Sequence, residues 1–442
     1  MINRSALFLL LFANAVSGIA QGISMLAIPW YFAREGDMGR FGLLYVLTNI
    51  VSFFWVPYAG TLIDRFNRKY LFLALTAISA LVLFGVGGWG LRQGGLPWYA
   101  VGGIFGITFL NYNLHFPTLY AFVQEIVEAR FYDRITSILE VMNQSTSILA
   151  GAGAALLLEG TRDGVLNLFG FRIAVGFDIA AWRIYEIFLL DGSTYVLAFL
   201  IIATIRYRSL QVRTEEQGSL WRRLRTGYDW LRAHPPVFLF GVASYSIFVT
   251  VLLLLFYLGA KYVNDHLQLG GDVYAASEMY FALGSLLSGV LIQRLFRWTS
   301  RPRAVLITTL LSAMAFLVLA GTRVELLFYL LLFLLGFCNA GTRVLRTTYL
   351  FNHIPNQVYG RCGSIFFLTN ILFRTFFLLL FALPFFQEAN HVVYAFGLMG
   401  VFLLVTVVVL AWGPSSPALL PGGEGSLGLG SLMIPPRFFG VY

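Results

Sequence analysis

The sequence predicts an all-α integral membrane protein, with twelve transmembrane helices arranged as two six-helix pseudo-repeats. Three observations carry this reading. Hydrophobic residues make up 58% of the 442-residue chain and charged ones 12%, too few charges to cover a water-exposed surface. Long apolar runs recur along it, each near the ~20 residues a helix needs to cross a bilayer core. One charged stretch between two runs, GTLIDRFNR at 60–68, returns in worn form as GVLIQRLFR at 289–297.

The runs fall at 6–32, 41–61, 70–91, 98–122, 135–158 and 188–205, and then at 237–260, 273–292, 304–321, 326–349, 364–386 and 392–412. The first is too long for a signal peptide and lacks a small-residue cleavage pattern, so it is read as the first span. The predicted domains are an N-terminal bundle (1–206), a linker (207–236), a C-terminal bundle (237–412) and a disordered cytoplasmic tail (413–442) rich in Gly, Pro and Ser. Within the linker, Trp221, Leu224, Tyr228 and Leu231 recur at helical spacing with arginines opposite. This predicts an amphipathic helix lying on the membrane surface, stopped by Pro235 and Pro236. The long gap at 159–187 is expected to be a folded extracytoplasmic loop with an interfacial helix around 171–182.

The net charge of +9 is unevenly spread. Arg65, Arg68, Lys69, Arg130, Arg134, seven arginines between 206 and 232, Arg294, Arg297, Arg301 and Arg303 fall in gaps on one side. Arg34, Arg40, Arg92, Lys261 and Arg323 fall in those on the other, where the long gap at 159–187 adds Arg162, Arg172 and Arg183 but also Glu159, Asp163, Asp178 and Glu186, and at its length weighs less in the topology. The side richer in bases is cytoplasmic, which places both termini there. The excess does not form a basic stripe with interleaved aromatics, so nucleic acid is not an expected partner. Cys338 and Cys362 lie in or beside apolar segments without a CxxC or Cys/His cluster, so neither a disulfide nor a metal site is expected. No phosphate-cradling loop and no catalytic pair stands out, so neither a cofactor nor an enzymatic activity is expected.

The two charged stretches share Gly, Leu-Ile, Arg and Arg, while Asp64 of the first is Gln293 in the second. Each follows the second span of its half. A weaker echo joins VQEIVEARFYDRITS from Val123 with FNHIPNQVYGRCGS from Phe351. Such parallel repeats build one large class of transporters. Gly60, Asp64, Arg65, Arg68 and Lys69 complete the pattern G-x-x-x-D-R-x-x-R-[RK], and the chain resembles the major facilitator superfamily over nearly its whole length. DGSTYVLAFLI at Asp191, GYDWLRAHPPV at Gly227 and FNHIPNQVYGR at Phe351 resemble the branch of macrolide-efflux and siderophore exporters.

The resemblance implies a cytoplasmic gate. Asp64 would face the start of the eleventh span near 360–363, a charge–dipole contact of about 0.3–1 kcal/mol when exposed and up to ~2 when partly buried. Arg65 and Arg68 can pair with Asp64 or with anionic headgroups, and Lys69 marks the cytoplasmic side. In the second copy, Gly289, Gln293, Arg294 and Arg297 would give a one-sided gate, because Gln293 carries no charge.

The resemblance also implies that spans one, four, seven and ten line a central cavity. These offer Asn14, Gln21, Asn111, Asn113, His115, Tyr245 and Asn339, a neutral hydrogen-bonding lining suited to a large amphipathic substrate. The alternative role of each is to bond neighbouring helices. Asn111, Asn113 and His115 are close enough for a shared polar patch, and His115 is either a proton carrier or a packing residue.

Arg374 falls near the middle of the eleventh span, where arginine costs roughly 2.5–3.5 kcal/mol on insertion scales. It binds an anionic substrate group, pairs with Glu278 or Glu140, or packs in a polar pocket between the halves. Glu278 and Glu140 are the candidate proton carriers. The expected function is secondary active transport by alternating access: proton-driven export of an amphipathic small molecule, working as an antiporter, by a monomer in a bacterial inner membrane. The alternatives are an uptake permease, a lipid flippase or a non-transporting sensor or scaffold.

Overall fold

The computed structural model describes residues 4–128, 131–161, 165–168, 171–174, 176, 178–206 and 220–412. The predicted tail and the first part of the linker, 207–219, lie outside them.

The first half contains α1 (Arg4–Arg34), α2 (Met38–Arg65), α3 (Arg68–Gln93), α4 (Trp98–Ile126), α5 (Tyr132–Glu159) and α6 (Ile184–Thr204). After α7 (Leu220–Ala233), the second half contains α8 (Pro235–Leu267), α9 (Gly271–Leu295), α10 (Arg301–Leu319), α11 (Glu325–His353), α12 (Asn356–Phe381), the single turn α13 (Pro384–Gln387) and α14 (Val392–Trp412). Eleven helices among the described residues are long and apolar enough to cross a membrane. The remaining long helix, α4, has 29 residues, and Asn111, Tyr112, Asn113 and His115 make its middle polar.

Two elements differ from the sequence expectation. The loop between α5 and α6 holds a hairpin rather than an interfacial helix: β1 (Val165–Leu168) pairs antiparallel with β2 (Phe171–Ala174). Leu168 opposite Phe171 leaves a two-residue connection, and the short alternating segments satisfy their backbone by pairing with each other. The seventh span runs on to Leu267 through two π-helical stretches, Leu254–Leu258 and Tyr262–Leu267. Lys261, expected in a loop, is therefore a buried helical residue. Its ammonium pairs with Asp265 at 2.5 Å and donates to the Gln387 carbonyl at 3.0 Å. The i+4 carboxylate and the facing carbonyl compensate its burial.

The predicted amphipathic helix forms as α7, which packs against α12 of the second half. Gly227 permits the approach: a Cβ there would sit 2.7 Å from the Arg361 backbone. Leu231 is fully buried while Tyr228 is exposed, so the docked side takes in Leu231 and not Tyr228.

The apolar core explains how the halves are joined. One large cluster takes residues from both halves: Ile28 and Phe32 of α1, Phe41 and Tyr45 of α2, Tyr257 and Tyr262 of α8, and Phe377 and Phe381 of α12. All lie toward the end where α1 stops and α14 begins. Toward the opposite face, where α1 begins and α14 ends, the core divides. One cluster there draws only on the first half, around Phe72, Phe122, Ile135 and Ile202, and another only on α7 and the second half, around Phe240, Ile292, Leu345 and Phe366. The molecule is joined at the far face and forked at the terminal face.

Polar contacts reinforce the joined end. The Gly271 N–H at the start of α9 donates to the Glu159 carboxylate at the end of α5 at 2.8 Å, an anion on a helix N-terminus. Asn264 donates to the Ala33 carbonyl at 3.1 Å, and the Trp30 and Tyr274 rings stack at 5.9 Å.

Candidate functional site

The candidate site is the seam between the halves, together with the charged stretch that closes α2. Of that stretch, Gly60 and the side chains of Asp64 and Arg65 lie outside the described residues, and the expected contact of Asp64 with α12 lies there with them. The rest is well placed. Asn67 caps α3, its side-chain oxygen accepting from the Lys69 N–H at 2.9 Å. Arg68 turns into the first half and comes within 3.1 Å of Glu125 on α4, correcting the expected pairing with Asp64 or headgroups. The two side chains are 13% and 4% exposed and approach without the angle of a hydrogen bond, so the attraction is mainly charge on charge. Lys69 is more than a marker of sidedness. Its ammonium donates to the carbonyls of Ala203 at 2.8 Å and Ile205 at 2.7 Å, satisfying the open C-terminus of α6.

The worn copy is differently placed. Gln293 and Arg294 are exposed, and Arg297 lies over the Trp298 ring at 4.1 Å. A Cβ on Gly289 would meet nothing within 4 Å, so this glycine does not mediate a close helix approach.

The polar middle of α4 does not form one patch. Asn111 donates to Ser79 on α3 at 2.8 Å, Asn113 is 3.4 Å from Ser52 on α2, and His115 meets Asn14 on α1 at 2.7 Å. Asn113 faces away from the other two because positions two apart lie on opposite sides of a helix, whereas Asn111 and His115, one turn apart, share a side but bond α3 and α1 separately. His115 also sits edge-on to Phe72 at 4.9 Å and is 5% exposed, a packed and bonded residue. Gln21 and Asn339 are half-buried.

Besides the neutral residues and Arg374 expected from the sequence, two further arginines stand in or beside the seam. Arg346 on α11 is 7% exposed; it lies 3.6 Å over the Tyr245 ring and donates to the Ser244 carbonyl at 3.1 Å. Its neighbour one turn earlier, Arg343, bonds Glu140 of α5 and so ties one half to the other. This corrects one reading of Arg374, because Glu140 is already held by Arg343. Glu278 instead lines a narrow cleft with Leu26, Leu255, Tyr274 and Phe328. Arg374 is 3% exposed on α12 and reaches across to the first half, 5.8 Å over Tyr45 and 5.2 Å over Phe109. Among the described residues no carboxylate pairs with it.

Sequence reasoning missed Arg343 and Arg346, although their three-residue spacing within an apolar run was visible. It also missed Asp191 on α6, which is fully buried. Asp191 faces Ser24 of α1 without hydrogen-bond geometry, and both its carboxylate oxygens are unpartnered. Its position inside the sixth apolar run was the available signal.

Two helical halves, joined at one face and parted at the other with charged groups facing across the seam, define a membrane transporter. The chain belongs to the Major Facilitator Superfamily, whose sequence profile matches residues 10–377. Among curated proteins it is similar to the multidrug efflux pump Tap of Mycobacterium tuberculosis (strain ATCC 25618 / H37Rv) and of Mycobacterium bovis (strain BCG / Pasteur 1173P2). Both are 33% identical over 85 residues, a match spanning 19% of this chain and 20% of each pump.

Among solved structures, a bacterial homologue of the iron transporter ferroportin in an inward-facing state superposes with a TM-score of 0.69 at 16% identity, covering 94% of this chain and 100% of that one. The nucleoside transporter NupG gives 0.66 at 9% identity over 93% and 99%. A D-xylose–proton symporter gives 0.65 at 14% identity over 92% and 97%. At these identities the likeness is one of fold.

Proposed function

We propose that the protein is a secondary active transporter that exports an amphipathic small molecule by alternating access, driven by a proton gradient. The observation that carries this reading is the forked core, one shared cluster at the far face and two separate clusters at the terminal face. Rocking the halves about their seam would close the fork and open the far face. The base-rich terminal face is the cytoplasmic one, with both termini there in a bacterial inner membrane, so the described conformation is open inward.

Gating falls to groups that face each other across the fork. A proton on Glu140 removes the charge that holds Arg343, releasing α5 from α11. Glu278, which no cation among the described residues holds, is the second proton carrier. Asp64 in the last turn of α2 closes the cytoplasmic side against the start of α12. Likeness to the Tap pumps over 85 residues favours export, and the aromatic-rich seam suits an amphipathic cargo.

The test is proton-driven accumulation of lipophilic dyes and antibiotics in inverted membrane vesicles, beside Asp64→Asn and Glu278→Gln. Accumulation should collapse with the gradient, weaken in Asp64→Asn and lose its proton dependence in Glu278→Gln. If no compound accumulates, export of drug-like molecules is refuted; counterflow of solute or movement of labelled lipid in liposomes would identify a permease or a flippase.

A further inference from the structure

Four polar side chains on two facing helices keep hydrogen-bonding atoms that nothing among the described residues satisfies. On α2 they are the Tyr45 hydroxyl and both side-chain polar atoms of Asn49; on α12 they are both side-chain polar atoms of Asn370 and Nε of Arg374. All four residues are at least 97% buried, with exposures of 0%, 0%, 1% and 3%. Unpartnered polar groups in a membrane interior cost several kcal/mol each, so a cluster of them calls for an account.

Their arrangement points to a single site. Tyr45 and Asn49 are one turn apart, as are Asn370 and Arg374, so each pair shares a helix side. α2 runs from the far face and α12 toward it, so the two pack antiparallel. Arg374 lies over Tyr45, which puts both asparagines one turn closer to the terminal face, side by side in level. Tyr45 belongs to the shared core and Phe377, just beyond Arg374, does too, whereas Phe366 belongs to the core of the second half alone. The four residues therefore sit at the branch point of the fork, half supplied by each half of the molecule.

We infer that Tyr45, Asn49, Asn370 and Arg374 bind the carboxylate of an amphipathic organic anion at the branch point, with Phe109 and the Tyr45 ring against its apolar body. The guanidinium supplies the charge, and the two amide NH2 groups and the phenol supply further donors to oxygen. An anion there also compensates a guanidinium that lies over the Tyr45 and Phe109 rings and that no carboxylate among the described residues pairs. Because the donors come from both halves, rocking the halves apart at this level dismantles the site, so capture and release are built into the same motion. This narrows the substrate of the proposed transporter to an acidic amphiphile and rests on that reading for its role in transport. Binding itself needs no gradient.

The experiment is equilibrium binding of 1-pyrenebutyrate, and of its uncharged methyl ester, to the full chain in phosphatidylcholine nanodiscs, with lipid-only discs subtracted. The native chain should bind the acid at least tenfold more tightly than the ester. Arg374→Gln should abolish that preference, weakening the acid at least tenfold and the ester far less, and Arg374→Lys should keep part of it. If Arg374→Gln fails to fold, Asn49→Ala and Asn370→Ala serve, each expected to weaken the acid several-fold and the ester little.

Equal binding of acid and ester by the native chain would overturn the proposal, as would a preference that survives both Arg374→Gln and the asparagine variants. Competition by added phosphatidylglycerol would assign the same anion site to a lipid headgroup; indifference to it would assign the site to a soluble anion. Selective binding with no vesicle transport would keep the site and refute the export reading. Transport with no acid preference would do the reverse.

Discussion

Glu140 on α5 and Arg343 on α11 are bonded across the two halves, at the level where the core has already divided. Neither belongs to the repeated charged stretch, and no single-helix pattern relates them. The side chains are 38% and 49% exposed, so solvent screens the pair and its worth is about 0.2–1 kcal/mol. That suffices to bias two conformations by up to about fivefold without locking either. Glu140→Gln or Arg343→Gln should widen the distance distribution across the terminal face, measured by spin labels on α5 and α11. The exchanged pair, Glu140→Arg with Arg343→Glu, should restore it; failure of the exchange would mean the contact does not hold the halves.

Arg68 and Glu125 are the opposite case, nearly closed off from solvent within one half. Removing the Glu125 charge takes away the carboxylate that Arg68 faces, at a cost of about 3–5 kcal/mol. Glu125→Gln should lower the thermal unfolding midpoint in detergent clearly, and Arg68→Gln combined with Glu125→Gln should be less destabilised than Glu125→Gln alone. Additive losses would show that the two charges do not interact.

The tightest approach in the second half is between α9 and α11. A Cβ on Gly284 would lie 2.0 Å from the Phe333 carbonyl oxygen, and one on Gly336 2.0 Å from that of Phe281. Small residues let these backbones meet. Gly284→Ala and Gly336→Ala should each destabilise by about 1–3 kcal/mol, read as a drop in unfolding midpoint. Gly289→Ala, on the same helix but facing open space, should change stability by less than about 0.5 kcal/mol despite its place in the repeated stretch.

Lys69 offers a milder test. Lys69→Met removes two bonds to the end of α6 and should cost about 0.3–1 kcal/mol, visible as faster amide exchange at Ile202 and Ile205. Protection unchanged from the native chain would mean water serves those carbonyls equally well.

The membrane class and helix order were legible because they depend on properties that local sequence carries. A run such as 392–412 must be helical in lipid, since no other structure satisfies its backbone there, and α14 spans those residues. The charged stretch was legible through its repetition. The linker helix was legible through its periodicity, although the close approach of Gly227 to the Arg361 backbone was not. The α5–α6 loop was misread because a short hairpin leaves only a few alternating residues as its signal. Lys261 was misread because a charge normally ends a span, and the Asp265 and Gln387 partners that permit it inside α8 are a helical turn and more than a hundred residues away.

The sequence by itself determined that this chain is a membrane protein of two repeated halves, and that Arg374 stands where a charge is costly. Only the tertiary structure decided what each charge meets: Glu140 with Arg343, Arg68 with Glu125, and Arg374 with Tyr45 and Phe109. The reason is physical. Insertion into lipid responds to composition over a run of about twenty residues, which is local. Pairing of buried charges depends on which helix faces which, and this is set by packing between segments far apart in the chain.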